Sequence, residues 1–188
     1  MLIAFSKITN TNFVNKYLKI WNKIMKSIIT TIVDKADDKG HFLSDTDIET
    51  IREEMEKVVS CFDGIEKLSA MVDKVTQESG DACFKKYPSL KKPGHAGDTP
   101  YKKQQCYRDI GHYIRLINYC LIVGTTEPLD KWGINGIREF YRSLDMPITP
   151  LIEGVIYARN YLCESNLFSE KVTQELRKYF DHAINKLG

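Results

Sequence analysis

A chain of 188 residues with 43% hydrophobic and 28% charged residues, 11 Gly and 6 Pro is long enough for one domain with a sizeable core, and its composition excludes disordered and fibrous classes. Lys and Arg number 27 against 25 Asp and Glu, a formal charge of +2 too balanced for phosphate-backbone affinity, so no nucleic-acid partner is expected. No apolar run reaches the ~20 residues of a bilayer span, and the start lacks the apolar stretch of a signal peptide, so a cytoplasmic or membrane-surface location is expected. The five cysteines, at 61, 83, 106, 120 and 163, show no CxxC spacing and no neighbouring His pair. Neither a disulfide framework nor a zinc site is indicated, and each is first read as a small buried hydrophobe.

The chain reads as helical throughout. Phe13, Val14, Tyr17, Leu18, Trp21 and Ile24 fall on one stripe of an amphipathic helix, in a segment with no acidic residue before Asp34. After the turn residues Asp38, Lys39 and Gly40, Ser44 with Asp47 three residues on predicts a capped helix start, running to about Ser60. Asp63 and Gly64 punctuate, and a helix follows from about Ile65 to Phe84. Pro88, Pro93, Gly94, Gly97 and Pro100 then make Tyr87 to Pro100 a long irregular loop. Thr99-Pro100 opens a helix that stops at Gly124, and Thr149-Pro150 repeats the device for a helix toward Cys163. Between them lies a shorter helix, Ile134 to Leu144, and a last one spans about Ser169 to Leu187. No stretch alternates with period two, so the expected fold is all-α, with seven to nine helices.

The chemistry concentrates between Cys106 and Arg115. Cys106 and Asp109 are three apart and share a helix face with Ile110 and Tyr113, while Arg108, His112 and Arg115 form an adjacent basic stripe. Spacing alone favours a surface ion-pair row through Asp109 over any site. A nucleophile activated by His112 has little geometric support at six residues' separation along one helix. Haem ligation by His112 is a further reading for an all-α chain of this size, although a lone helical His is more often structural.

The segments Gly80-Asp81-Ala82-Cys83-Phe84 and Cys106-Tyr107-Arg108-Asp109 with His112-Tyr113, together with the intervening loop, closely resemble the phycobiliproteins. Arg115 to Cys120, Pro128 to Ile134 and Arg138-Glu139-Phe140-Tyr141-Arg142 narrow the resemblance to phycoerythrin α subunits, over about residues 25 to 188. The resemblance implies a globin-like fold with two additional N-terminal helices. It also implies a non-enzymatic, light-harvesting antenna subunit that pairs with a phycoerythrin β subunit in ring-shaped hetero-oligomers. Linker polypeptides of the phycobilisome are further implied partners, and membrane association is peripheral, at the cytoplasmic face of the thylakoid.

By the same resemblance, covalently attached linear tetrapyrroles, phycoerythrobilin or phycourobilin, sit on Cys106 and on Cys163. Asp109 would accept hydrogen bonds from the inner pyrrole N–H groups, and Arg108 and His112 would hold propionates or flank the rings. Arg159, one helical turn before Cys163, is the propionate partner at the second site. The family usually has a Lys where this chain has Gln105, and basic residues where it has Tyr161 and Asn166, so both pockets lose propionate partners. Trp132 is read as a ring-stacking wall in preference to plain core. Residues 1–24 precede the resemblance and are read either as a genuine extension, basic and amphipathic enough for a membrane surface or a neighbouring subunit, or as a mis-assigned start. A bilin-binding regulatory or photosensory protein on the same fold stays open as the alternative function, with a haem-binding globin a distant third.

Overall fold

The computed structural model describes residues 27–188, and the helix expected over residues 13–24 lies outside them. Among the described residues there are helices and turns and no strand. Two N-terminal helices, α1 (Ile28–Asp38) and α2 (Asp45–Val59), precede the body helices α3 (Phe62–Lys86), α4 (Pro100–Val123), α5 (Ile137–Ser143), α6 (Thr149–Glu164) and α7 (Glu170–Leu187).

The helix starts follow local chemistry. Ser44 accepts from the Asp47 N–H at 3.2 Å while the Asp47 carboxylate accepts from the Ser44 N–H at 3.0 Å, a complete capping box. The Ser44 hydroxyl, which donates to the Asp47 carboxylate at 2.6 Å, and then the Ser44 N–H hold the Asp47 carboxyl below its ordinary range. Thr99 accepts from the Lys102 N–H at 3.2 Å with Pro100 in the first turn, and Gly124, at φ +71°, ends α4 in the left-handed conformation.

Three boundaries differ from expectation. Asp63 and Gly64 lie inside the first turn of α3, the break falling at Ser60-Cys61. Gly64 is there for packing: a Cβ would come within 2.4 Å of Val172 on α7. Thr149 belongs to α6 and makes no side-chain cap. The segment expected as one helix from Ile134 to Leu144 divides at Gly136, whose φ of +77° ends a π-helical turn, Asp130–Ile134, before α5 begins.

The core gathers Leu68 and Val75 of α3, Ile114 and Ile117 of α4, Val155 and Leu162 of α6, and Leu176 and Phe180 of α7. Each such side chain contributes roughly 1.5–3 kcal/mol by leaving water. Cys61, Cys83 and Cys120 are buried, as the composition-level reading expected. Burial pushes the Cys83 and Cys120 thiols up to about 11 and about 12. A separate cluster, Phe84, Leu90 and Tyr107, anchors the loop that follows α3 against α4. By contrast, neither α1 nor α2 buries a single residue.

Candidate functional site

The loop between α3 and α4 is irregular but tightly held. After a 3₁₀ turn, Pro88–Lys91, the Gly97 N–H donates to the Leu90 carbonyl at 2.8 Å, and Gly97 lies so close to the Phe84 ring that a Cβ would stand 2.2 Å from it. The Asp98 carboxylate accepts from the Gly94 N–H at 2.8 Å and from Lys102 Nζ at 3.1 Å. These bonds present the Ala96 carbonyl to Cys106, whose thiol points at it from 3.5 Å.

Cys106 opens into a cleft of about 380 Å³ whose lining includes Ala96, Gln105, Arg108, Asp109 and Tyr141. That volume lies in the range of about 300–1,000 Å³ typical of small-molecule pockets. Four of the expected site residues, Gln105, Cys106, Arg108 and Asp109, are therefore brought together along one wall. Lys102, one turn before Cys106, joins them.

Asp109 is the charged centre of the wall. Its carboxylate accepts from the Tyr141 hydroxyl at 3.1 Å and from Arg108 Nη2 at 3.4 Å. A carboxylate has about four acceptor positions, so about two stay available to further N–H donors. The Arg108 side chain is 69% exposed and its contact with Asp109 is long, so little holds it there. Burial and the Asp109 charge push the Cys106 thiol above its usual range, leaving it protonated at neutral pH with no base beside it. Burial, then Asp109, likewise raises Tyr141 far above an ordinary phenol, so it stays a donor.

His112 and Trp132 lie elsewhere. His112 Nδ1 is 2.8 Å from Arg115 Nη2, and because a guanidinium only donates, the network assigns the remaining N–H to Nε2, which donates to the Trp132 carbonyl at 3.1 Å. Tyr113 donates to the Gly133 carbonyl, and His182 Nε2 lies 2.7 Å from Asp130 Oδ1. His112 thus braces the π-helical turn from α4, and the half-exposed Trp132 indole sits on that turn.

Cys163 is on the last turn of α6, half-buried, with its thiol raised by burial and drawn down in part by Arg177 and then Arg159. Arg159 is engaged: Nη1 is 2.5 Å from Asp181 Oδ1 on α7, and Nε donates to Asn160 Oδ1 at 3.1 Å. Sequence reasoning missed Tyr141, Lys102 and Arg177. Tyr141 stood inside a motif already quoted for the resemblance, and Lys102 one helical turn from Cys106, whereas nothing local to Cys163 points to Arg177.

A half-buried thiol, a carboxylate with spare acceptor capacity and cationic groups around a cleft are the features that suit a covalently held, N–H-rich dianionic pigment. The profile of the phycobilisome protein family matches residues 31–187, and the chain belongs to that family. Its curated relatives include the C-phycoerythrin class 1 subunit alpha of Synechococcus sp. strain WH8020, 50% identical over 164 residues, covering 87% of this chain and 100% of the relative. The B-phycoerythrin alpha chain of Rhodella violacea is 44% identical with the same coverage, and the R-phycoerythrin alpha chain of Pyropia yezoensis is 43% identical over 163 residues, covering 87% of this chain and 99% of the relative. The chain has the all-α, globin-like phycobiliprotein fold and is a light-harvesting, bilin-carrying subunit, not an enzyme. Phycoerythrin alpha chains assemble with β subunits in phycobilisomes, which associate peripherally with the thylakoid.

Proposed function

We propose that Cys106 and Cys163 are the attachment residues for phycoerythrobilin or phycourobilin, and that the cleft at Cys106 works as a clamp. The observation that carries this reading is the convergence of the Cys106 thiol, the Asp109 carboxylate and the Arg108 guanidinium on one cleft. When bound, the tetrapyrrole supplies visible absorption and an excited state. Cys106 would offer the sulfur that holds the pigment through a thioether. Asp109 holds inner N–H groups with its remaining acceptor positions and favours the protonated, cationic ring system. Arg108 and Lys102 neutralise propionates, Lys102 supplying one turn earlier the charge that Gln105 lacks. Tyr141 fixes the orientation of Asp109, and His112 holds the Trp132 turn in place.

The exposed apolar side chains Val33, Ile48, Met55 and Val59 of α1 and α2 support docking of the β subunit there, within ring-shaped assemblies with linker polypeptides on the cytoplasmic face of the thylakoid. Relatives matched over their whole length account for 164 of the 188 residues, which supports a body over residues 25–188 preceded by residues 1–24 as an extension or a mis-assigned start. Tryptic peptide masses with a denatured-state absorption spectrum test the attachment reading. Pigment mass on the peptides of Cys106 and Cys163 is expected; a Cys106 peptide with no added mass overturns it.

A further inference from the structure

We propose that Arg177, on α7, is the propionate-binding residue for the bilin carried by Cys163, taking the part that Tyr161 on α6 and Asn166 in the connection after it cannot take. The proposal rests on Cys163 being an attachment residue. Its ground is helix register. α6 and α7 are joined by residues 165–169, short enough to make them antiparallel neighbours. Arg159 and Asp181 meet across their seam at 2.5 Å. Four residues toward the C-terminus of α6 is Cys163, and four toward the N-terminus of α7 is Arg177. In antiparallel helices those steps, about 6 Å each, run in the same direction, so Cys163 and Arg177 form the next rung of the same ladder.

Commitments of the neighbouring cations point the same way. Arg159 is bound to Asp181 and Asn160, so turning it to a propionate would strip Asp181 of its partner. Lys74 lies over the Tyr161 ring at 5.9 Å, but Tyr161 is two positions from Cys163, about 200° around the helix. Arg177 is exposed, and among the described residues its guanidinium has no ion pair or hydrogen bond, so it meets a carboxylate in the two-pronged geometry that suits it without breaking an existing contact. The part-cancelling pull of Arg177 on the Cys163 thiol, ahead of that of Arg159, fits the same placement.

The test uses the full pigmented chain with its partner, in a Cys106→Ala background so that one α-chain pigment reports. Arg177→Ala is expected to keep pigment mass on the Cys163 peptide and leave the denatured spectrum unchanged. In the native state it is expected to shift the absorption band and lower the emission yield at least twofold, Arg177→Lys restoring most of the loss. A native spectrum and yield indistinguishable from those of the Cys106→Ala parent overturn the role of Arg177 while leaving Cys163 attachment intact. No pigment on Cys163 in the unsubstituted chain overturns the attachment reading, and this inference with it. Should Arg177→Ala abolish attachment at Cys163, recovery with Arg177→Lys supports the proposal and continued loss overturns it. In the unpigmented chain, Arg177→Ala should slow iodoacetamide alkylation of Cys163 near neutral pH about two- to fivefold, since removing the cation raises the thiol further; an unchanged rate shows that the two groups do not face each other, which also overturns it.

Discussion

Asp109 does two electrostatic jobs that oppose each other. Before pigment arrives, its charge and the burial of Cys106 keep that thiol protonated, so the sulfur is a poor nucleophile at neutral pH. In the proposed clamp, the same charge would favour the N–H groups of a bound pigment. Replacing Asp109 by Asn removes the charge and keeps the shape, which lowers the Cys106 thiol toward its ordinary range and increases thiolate at pH 7–8. Alkylation of Cys106 in the unpigmented chain should then quicken about two- to fivefold, short of the ~10-fold of a full pKa unit. In the pigmented protein Asp109→Ala should leave attachment on Cys106 while shifting the visible band and cutting emission severalfold, read by peptide mass beside absorption and fluorescence. Tyr141→Phe isolates the orientation of Asp109: with the 3.1 Å bond gone, a loss of about 1 kcal/mol in stability and a smaller band shift than in Asp109→Ala are expected, by thermal unfolding and absorption.

Elements here are set by glycines and caps as much as by apolar periodicity, and that divides what the sequence shows from what it hides. The capping box at Ser44, the Thr99-Pro100 start and the Gly124 stop are local chemistry, and all three stand as read. A glycine marks either a turn or a close approach: Gly136 is the former, and Gly64, expected as punctuation, is the latter. The Cys106 to Asp109 wall was legible because one helix carries it, whereas Tyr141 and Arg177 arrive from other helices through packing. Gly80 belongs with Gly64: a Cβ there would stand 1.9 Å from the Tyr107 ring. Gly80→Ala must therefore displace that ring, breaking the 2.6 Å bond from its hydroxyl to Asp81 and loosening the cluster that anchors the Tyr87 to Pro100 loop. Overpacking of about 1–3 kcal/mol and about 1 kcal/mol for the bond lower Tm by roughly 4–16 °C for a chain this size. Because that loop presents Ala96 to Cys106, differential scanning calorimetry and the visible band should move together.

The molecule as a whole is two unequal parts. The body, α3 to α7, buries a continuous core, while α1 and α2 bury nothing and display Val33, Ile48, Met55 and Val59 at 45% to 63% exposure. Among the described residues the apolar faces of these two helices are only partly covered, and two capped helices without a fully buried side chain are poorly stable alone. A partner that covers them supplies the missing burial, so assembly and the order of this segment should be coupled. Met55→Glu puts a charge on the face without touching the core or the Cys106 cleft. Pigment on the α chain should be unchanged by peptide mass, while affinity for the β subunit falls at least about tenfold, or ~1.4 kcal/mol, by analytical ultracentrifugation. Amide exchange in α1 and α2 should quicken in proportion to the dissociated fraction, whereas exchange in α4 and α7, protected by the core, should not change. Unaltered association in Met55→Glu would move the partner's contact to another face of the chain and leave the exposed apolar residues of α1 and α2 without a use in assembly.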